Sequence, residues 1–133
     1  MTVDDRPLRV VVVDDEPDVC LLLRLQLERY GYDVVGEAKD GHEAVRVCRE
    51  LSPDAVVLDL LMPNVSGFEA IPQLRRDDPN LVIIAYTAVA GDFVRNEMAR
   101  LHIPLVLKMA NVEPLTTAIE RAIAQRAQPD AAT

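Results

Sequence analysis

The sequence predicts an α/β protein built on a parallel sheet. Five short apolar runs alternate along the chain with five segments that have the helical period. The apolar runs are rich in Val, Ile and Leu with little polar alternation, which is typical of strands covered on both faces. Alternating strands and helices imply right-handed crossovers, and therefore parallel strands.

Each predicted strand is followed by a predicted helix. The strands are predicted at Leu8–Val13, Asp33–Ala38, Ala55–Asp59, Leu81–Tyr86 and Leu105–Leu107. The helices are predicted at Pro17–Tyr30, Gly41–Leu51, Gly67–Arg76, Asp92–Leu101 and Val112–Ala127. Residues 8–127 should form a single domain, with residues 1–7 and 128–133 as terminal tails.

The first helix has clear start and stop signals. Pro17 suits a first helical turn, and Gly31 suits the position after the last. Its buried stripe is predicted from the i, i+3, i+4 spacing at Val19, Leu22, Leu23, Gln26, Leu27 and Tyr30. Leu21 and Leu25 lie off this stripe; we expect them to widen it, and a partner-binding surface is the alternative.

The fifth helix also has a predicted buried stripe and a start signal. Its buried stripe is predicted at Leu115, Ile119, Ala122 and Ile123. Asn111 precedes the helix and is expected to cap its first turn.

Composition excludes several classes of function. The 133 residues carry a net charge of −8, which argues against direct binding of nucleic acid, a ligand that needs a basic surface. The first residues are acidic and polar, and no apolar run approaches the length of a membrane span, so we expect a cytoplasmic protein. Cys20 and Cys48 lack metal-ligand spacing and should be buried apolar side chains, whereas His42 and His102 should lie on the surface.

Polar residues close four of the strands: Asp14 with Asp15, Asp59, Thr87 and Lys108. The carboxyl ends of parallel strands lie along one edge of the sheet, where ligands bind. We therefore expect three acids, one hydroxyl and one ammonium to converge at that edge. Asp14 and Asp15 taken alone could instead cap the first helix.

This set of side chains suits a divalent cation and a phosphoryl group. Two carboxylates about 4 Å apart repel by roughly 4 kcal/mol at a surface-like dielectric, and a hard cation such as Mg²⁺ removes that repulsion. Lys108 can neutralise one phosphoryl oxygen and Thr87 can donate a hydrogen bond to another. Asp59 is the expected nucleophile, because carboxylates form aspartyl-phosphates.

The ordered motifs resemble those of bacterial two-component response-regulator receiver domains, the CheY-like family. The matching stretches are Val10–Pro17, Asp59–Pro63 with Gly67, Tyr86–Ala88, Lys108, and Val35–Ala38 followed by Asp40, Gly41, Glu43 and Ala44. The resemblance covers Leu8 to Ala127. It implies a flavodoxin-like, doubly wound (βα)5 fold with strand order 2-1-3-4-5.

The resemblance also implies roles for individual residues. Asp59 would be the phosphoacceptor, and Asp14, Asp15, Asp59 and the Leu61 backbone carbonyl would hold Mg²⁺. Thr87 and Lys108 would bind the phosphoryl group. A sensor histidine kinase or a phosphotransfer protein would be the donor and a downstream effector protein the recipient, with homodimerisation through the fourth helix, fifth strand and fifth helix as a further expectation. The chain would promote its own phosphorylation without turning over an external substrate.

Three departures from the family cluster near the end of the chain. Met109 replaces the proline that usually follows the lysine, so we expect a trans Lys108–Met109 bond, because a cis bond without proline costs about 2.5–4 kcal/mol. Leu105 stands where the family places an aromatic ring, and Arg100–Pro104 replaces the usual Gly-Ala. The phosphorylation site is expected to be intact and its readout altered.

Two apolar residues bear on the lifetime of the phosphorylated state. Leu61 and Val89 occupy positions that influence attack by water in the family, and neither can hydrogen-bond a water, so we expect slow self-dephosphorylation. Two alternatives remain for the whole chain: a docking module that ignores phosphorylation, or the receiver part of a helix-turn-helix transcription regulator. A phosphatase with an aspartyl nucleophile is disfavoured, because the second acid of such enzymes is missing two residues after Asp59.

Overall fold

The structure, a computed structural model, describes residues 6–62, 66–88, 90–108 and 111–127. Within these residues five strands alternate with five helices. The strands are β1 (Arg9–Val13), β2 (Asp33–Ala38), β3 (Ala55–Leu58), β4 (Val82–Thr87) and β5 (Leu105–Leu107). The helices are α1 (Pro17–Arg29), α2 (Gly41–Leu51), α3 (Gly67–Asp77), α4 (Asp92–Arg100) and α5 (Glu113–Ala127). The predicted bounds differ from these by no more than one residue at any end.

The strands form one parallel sheet in the order β2-β1-β3-β4-β5, which confirms the predicted fold class. Helices α1 and α5 cover one face of the sheet, and α2, α3 and α4 cover the other. Alternate residues of each central strand supply the two cores, so β1 and β3 are buried on both sides. The order reverses between β1 and β3, which is where ligands bind in sheets of this kind.

Helix α1 ends as its sequence predicts. Gly31 has a φ of +94°, a left-handed conformation that costs glycine nothing. The Gly31 and Tyr32 amides donate hydrogen bonds to the carbonyls of Glu28 and Leu27, at 3.0 and 3.2 Å, which is the pattern of a Schellman motif. This turn leads the chain directly into β2.

The buried stripe of α1 is narrower than predicted. Only Cys20, Leu23 and Leu27 are buried in this helix. The prediction was wrong for four large side chains that are about half exposed: Leu21, Leu22, Leu25 and Tyr30. Leucines occur on both sides of α1, and the helix contacts the sheet along one line, so hydrophobic periodicity alone did not identify the buried side.

Most of the remaining expectations for single residues hold, but Ala122 and Ile123 of the predicted α5 stripe are only partly buried. In α5, Leu115 and Ile119 are buried, and the Asn111 side chain accepts a hydrogen bond of 3.0 Å from the Glu113 amide. Cys20 is buried and Cys48 half-buried, while His42 and His102 are exposed. None of the described helices is both long and apolar enough to cross a membrane. The predicted terminal tails fall largely outside the described residues and stay predictions.

Candidate functional site

The register of the central strands places Asp14 and Asp59 side by side. Val13 is the β1 partner of Leu58 in β3, and the Asp59 amide donates to the Val13 carbonyl at 3.0 Å. Each acid is therefore the first residue beyond its strand, at the same edge of the sheet. Both are almost completely buried, with 2% of Asp14 and 4% of Asp59 exposed.

Lys108 reaches this pair from the end of β5, the edge strand next to β4. Its amide donates to the Thr87 carbonyl at 2.8 Å, which continues the pairing of β4 with β5. Its Nζ atom donates to Asp14 Oδ2 at 2.6 Å and to Asp59 Oδ2 at 3.2 Å. The ammonium thus bridges two carboxylates that would otherwise repel each other.

Three carboxylates converge at the site. One oxygen from each of Asp14, Asp15 and Asp59 lies within 4.8 Å of the other two, and Asp15 is the most exposed of the three. Carboxylate oxygens are the donors that Mg²⁺ prefers, and a cation of that kind usually takes one or two of them and keeps several waters. The donor set therefore fits a hard divalent cation.

Burial is the main influence on the pKa of Asp59, and the neighbouring charges modify it. Burial raises the pKa of Asp59, and the Asp14 charge adds to the rise; the Leu61 amide and the Lys108 ammonium oppose it without reversing it. Burial alone would lower the pKa of Lys108, but its hydrogen bond to Asp14 and the charge of Asp59 raise that pKa overall. An added cation would relieve the Asp59 carboxylate directly.

Local turns fix both carboxylates. The Leu61 amide donates to Asp59 Oδ1 at 3.1 Å, and the Glu16 amide donates to Asp14 Oδ1 at 3.0 Å. These are Asx turns, in which an aspartate accepts from the amide two residues on. Glu16 holds the N-cap position of α1 without a side-chain cap bond, so the structure does not support simple helix capping by Asp14 and Asp15. Residue spacing alone did not predict these turns.

Gly67 is required by the backbone of the site. A Cβ atom at this position would lie 2.2 Å from the carbonyl oxygen of Asp59 and 3.1 Å from the Leu58 side chain. Helix α3 thus begins in direct contact with the end of β3, and only glycine leaves room for it. The family resemblance included Gly67, but the sequence did not show this close approach.

Three further predicted residues lie within the described part of the chain. Thr87 ends β4 and is completely buried, and the Leu61 side chain is 55% exposed. Leu105 is half-buried and packs against the core on the side of α2, α3 and α4. The predictions that concern Val89 and the Lys108–Met109 bond lie outside the described residues.

Comparisons with known proteins agree with this geometry. The sequence profile of the response regulator receiver domain matches residues 10–120. The chemotaxis protein CheY of Thermotoga maritima is 41% identical over 81 residues, which are 61% of this chain and 68% of that protein. The transcriptional regulatory protein PhoP of Bacillus subtilis, which controls alkaline phosphatase synthesis, is 40% identical over 85 residues, 64% of this chain but only 35% of the regulator.

A solved structure shows the same fold. The response regulator TrrA of Thermotoga maritima, crystallised in complex with Mg²⁺ and BeF, superimposes with a TM-score of 0.77 at 30% identity and covers 86% of this chain and 97% of that one. The five-stranded parallel sheet and the acidic site at its carboxyl edge are those of a phosphoryl-receiving signalling domain, and this is the class of protein that the family match indicates. The chain belongs to the response regulator receiver domain family.

Proposed function

We propose that Asp59 accepts a phosphoryl group from a phosphohistidine on a sensor histidine kinase or phosphotransfer protein. The observation that supports this most directly is the position of its carboxylate, which lies beside two further acids and accepts hydrogen bonds from Lys108 and the Leu61 amide. Attack by an Asp59 oxygen forms an acyl phosphate, and the P–N bond breaks with its electron pair going to the imidazole. Such transfers depend on positioning and charge stabilisation more than on a base.

Mg²⁺ is the proposed cofactor. Asp14, Asp15, Asp59 and the Leu61 carbonyl would hold it, and the cation would neutralise carboxylates and bind phosphoryl oxygens. The role of Leu61 rests on the family pattern. The Lys108 ammonium, already 3.2 Å from Asp59 Oδ2, would then pair with a phosphoryl oxygen.

Thr87 is the proposed link to conformational change. Thr87 ends β4 and is completely buried, so a new hydrogen bond from its hydroxyl to a phosphoryl group would rearrange either its side chain or the end of β4. A ligand shifts a two-state equilibrium only through different interactions with the two states, and a new Thr87 contact would supply that difference. The readout would be altered binding of an effector protein.

The wider setting follows from the same family membership. We infer a cytoplasmic signalling component that does not turn over an external substrate. Dimerisation through α4, β5 and α5 remains a prediction. Because the match to PhoP covers only about a third of that regulator, an attached effector domain is compatible with this proposal.

The test is phosphorylation by acetyl phosphate in the presence of Mg²⁺, measured by intact mass. We expect a gain of one phosphoryl group, lost in Asp59→Asn and in the presence of EDTA. Asp33→Asn is the matched control, because it removes an exposed carboxylate from β2 and should leave the gain unchanged. Modification that persists in Asp59→Asn would refute the assignment. No modification of a folded wild-type protein that binds Mg²⁺ would favour a docking module.

A further inference from the structure

Helix α1 has an exposed apolar ridge along the side that faces away from the sheet. Leu22 and Leu25 are 55% and 53% exposed, whereas the buried residues of the helix lie on its opposite side. Asp18 and Arg29, both exposed, continue the same line at its two ends. Among the described residues neither of these two charges has an ion-pair partner within the chain.

The spacing of this ridge is that of a helix-pairing seam. Asp18, Leu22, Leu25 and Arg29 follow one another at steps of four, three and four residues. Alternating steps of three and four keep side chains along one seam, as in paired helices. Leu21, which is 54% exposed, widens the seam on one side.

The ridge is also complementary to itself. If two copies of α1 pack antiparallel about a two-fold axis between Leu22 and Leu25, each Leu22 meets Leu25 of the other copy. The same axis brings Asp18 of each copy opposite Arg29 of the other. A two-fold interface uses one patch on both subunits, so both charge pairs form at once.

We propose that this chain forms a two-fold dimer through an antiparallel α1–α1 contact. Among the described residues α1 carries three half-exposed leucines, whereas large exposed apolar side chains on α4 and β5 are limited to Phe93 and Leu107. Opposite charges at the two ends of the ridge mean that a second copy, packed antiparallel, matches both ends at once. A pair of 13-residue helices buries less than the roughly 800 Å² per partner of a standard interface, so the dimer is weak and concentration-dependent.

The experiment is sedimentation equilibrium of the unphosphorylated full chain, up to millimolar concentration and at low salt, on four charge variants. Asp18→Arg and Arg29→Asp each place like charges in contact twice across the two-fold axis, so each should weaken dimerisation by about tenfold. The double variant, Asp18→Arg with Arg29→Asp, restores both pairs and should return the dissociation constant close to that of the wild type. Asp92→Arg is the matched control, because Asp92 is likewise an exposed acid in the first turn of a helix, α4.

Rescue by the double variant would establish the antiparallel pairing of two copies. A wild-type protein that stays monomeric at millimolar concentration would overturn the proposal and leave the ridge to a different helix. Loss of the dimer in Asp92→Arg alone would overturn it in favour of the α4 face. Circular dichroism and melting temperature verify that each variant is folded; if a charge variant does not fold, Leu25→Gln, an exposed substitution, should still weaken the dimer.

Discussion

Replacing Lys108 by methionine should destabilise the metal-free protein. The loss of stability measures how strongly the ammonium stabilises the two buried acids, Asp14 and Asp59. The Lys108 ammonium lies 2.6 Å from Asp14 Oδ2 and 3.2 Å from Asp59 Oδ2, and its side chain is only 20% exposed. Methionine keeps most of the apolar stem and removes the charge. The substitution therefore leaves Asp14 and Asp59 facing each other without a counterion.

The size of the effect follows from the distances. Two unit charges no more than 4.8 Å apart repel by at least about 3.5 kcal/mol at an effective dielectric constant of 20. Proton uptake by Asp59, whose pKa burial already raises, limits this cost. We expect the free energy of unfolding at pH 8 to fall by about 2 kcal/mol, somewhat below the 3–5 kcal/mol found when a fully buried pair loses one partner.

The pH dependence has a definite sign. Because the folded-state pKa of Asp59 is raised, the folded chain binds this proton more tightly than the unfolded chain does. The contribution of Asp59 to stability is therefore fully present below its unfolded pKa and is lost as the pH rises through its folded pKa. Removing Lys108 raises that folded pKa further, so the stability difference between wild type and variant should be smaller at pH 5 than at pH 8.

Urea unfolding in EDTA and in millimolar Mg²⁺ measures this effect. A cation bound by the same carboxylates should recover more stability in Lys108→Met than in the wild type, since it no longer competes with the ammonium. Lys39→Met is the matched control, because Lys39 is exposed and the change in net charge is the same. Equal losses in the two variants, or a loss independent of pH and Mg²⁺, would refute the electrostatic account of the site.

Three further outcomes are expected. Gly67→Ala should cost roughly 1–3 kcal/mol of folding stability and impair phosphorylation, because the new Cβ overlaps the carbonyl oxygen of Asp59; Gly91→Ala, with nothing within 4 Å of its Cβ, is the control in a denaturation series. Leu61→Asn should shorten the phosphorylated lifetime several-fold in a mass-resolved decay assay, because its side chain is exposed and an amide can hold an attacking water; an unchanged lifetime contradicts this. Burial raises the thiol pKa of Cys20 to about 11 and of Cys48 to about 12, so both should resist iodoacetamide at pH 8 until the protein is unfolded.

The sequence predicted the site well because each of its members closes an apolar strand. Asp59 is the last residue of a predicted strand, Asp14 and Lys108 each follow directly after one, and parallel pairing then leaves little choice about where they meet. The order of the strands was not available from this pattern and came from the family resemblance. The two Asx turns and the contact of Gly67 with the Asp59 carbonyl depend on backbone geometry that residue spacing does not specify.

Helix α1 shows why the remainder could not be predicted. Leu22 and Leu23 both fit an i, i+3, i+4 stripe, yet Leu23 is 2% exposed and Leu22 is 55% exposed. A helix with leucines on opposite sides has two possible buried faces, and only packing against the sheet selects one of them. The face that was not selected is the exposed ridge. Its leucines, Leu22 and Leu25, were predicted to be buried, and their exposure is the observation that led to the proposed α1 contact.

The charge of the site supports the proposed combination of a divalent cation with Lys108. Three carboxylates and one ammonium leave two negative charges, which a single divalent cation neutralises. In the proposed function, phosphorylation would convert the Asp59 carboxylate into an acyl phosphate, a mixed anhydride that carries a dianionic phosphoryl group, so the negative charge at this position would grow. The Lys108 ammonium donates to both Asp14 and Asp59. It would therefore exchange its contact with Asp59 Oδ2 for one with a phosphoryl oxygen and keep its hydrogen bond to Asp14. Asp14 and Asp15 would remain available to a cation in Lys108→Met, so we expect loss of Lys108 to impair the switch while Mg²⁺ still binds.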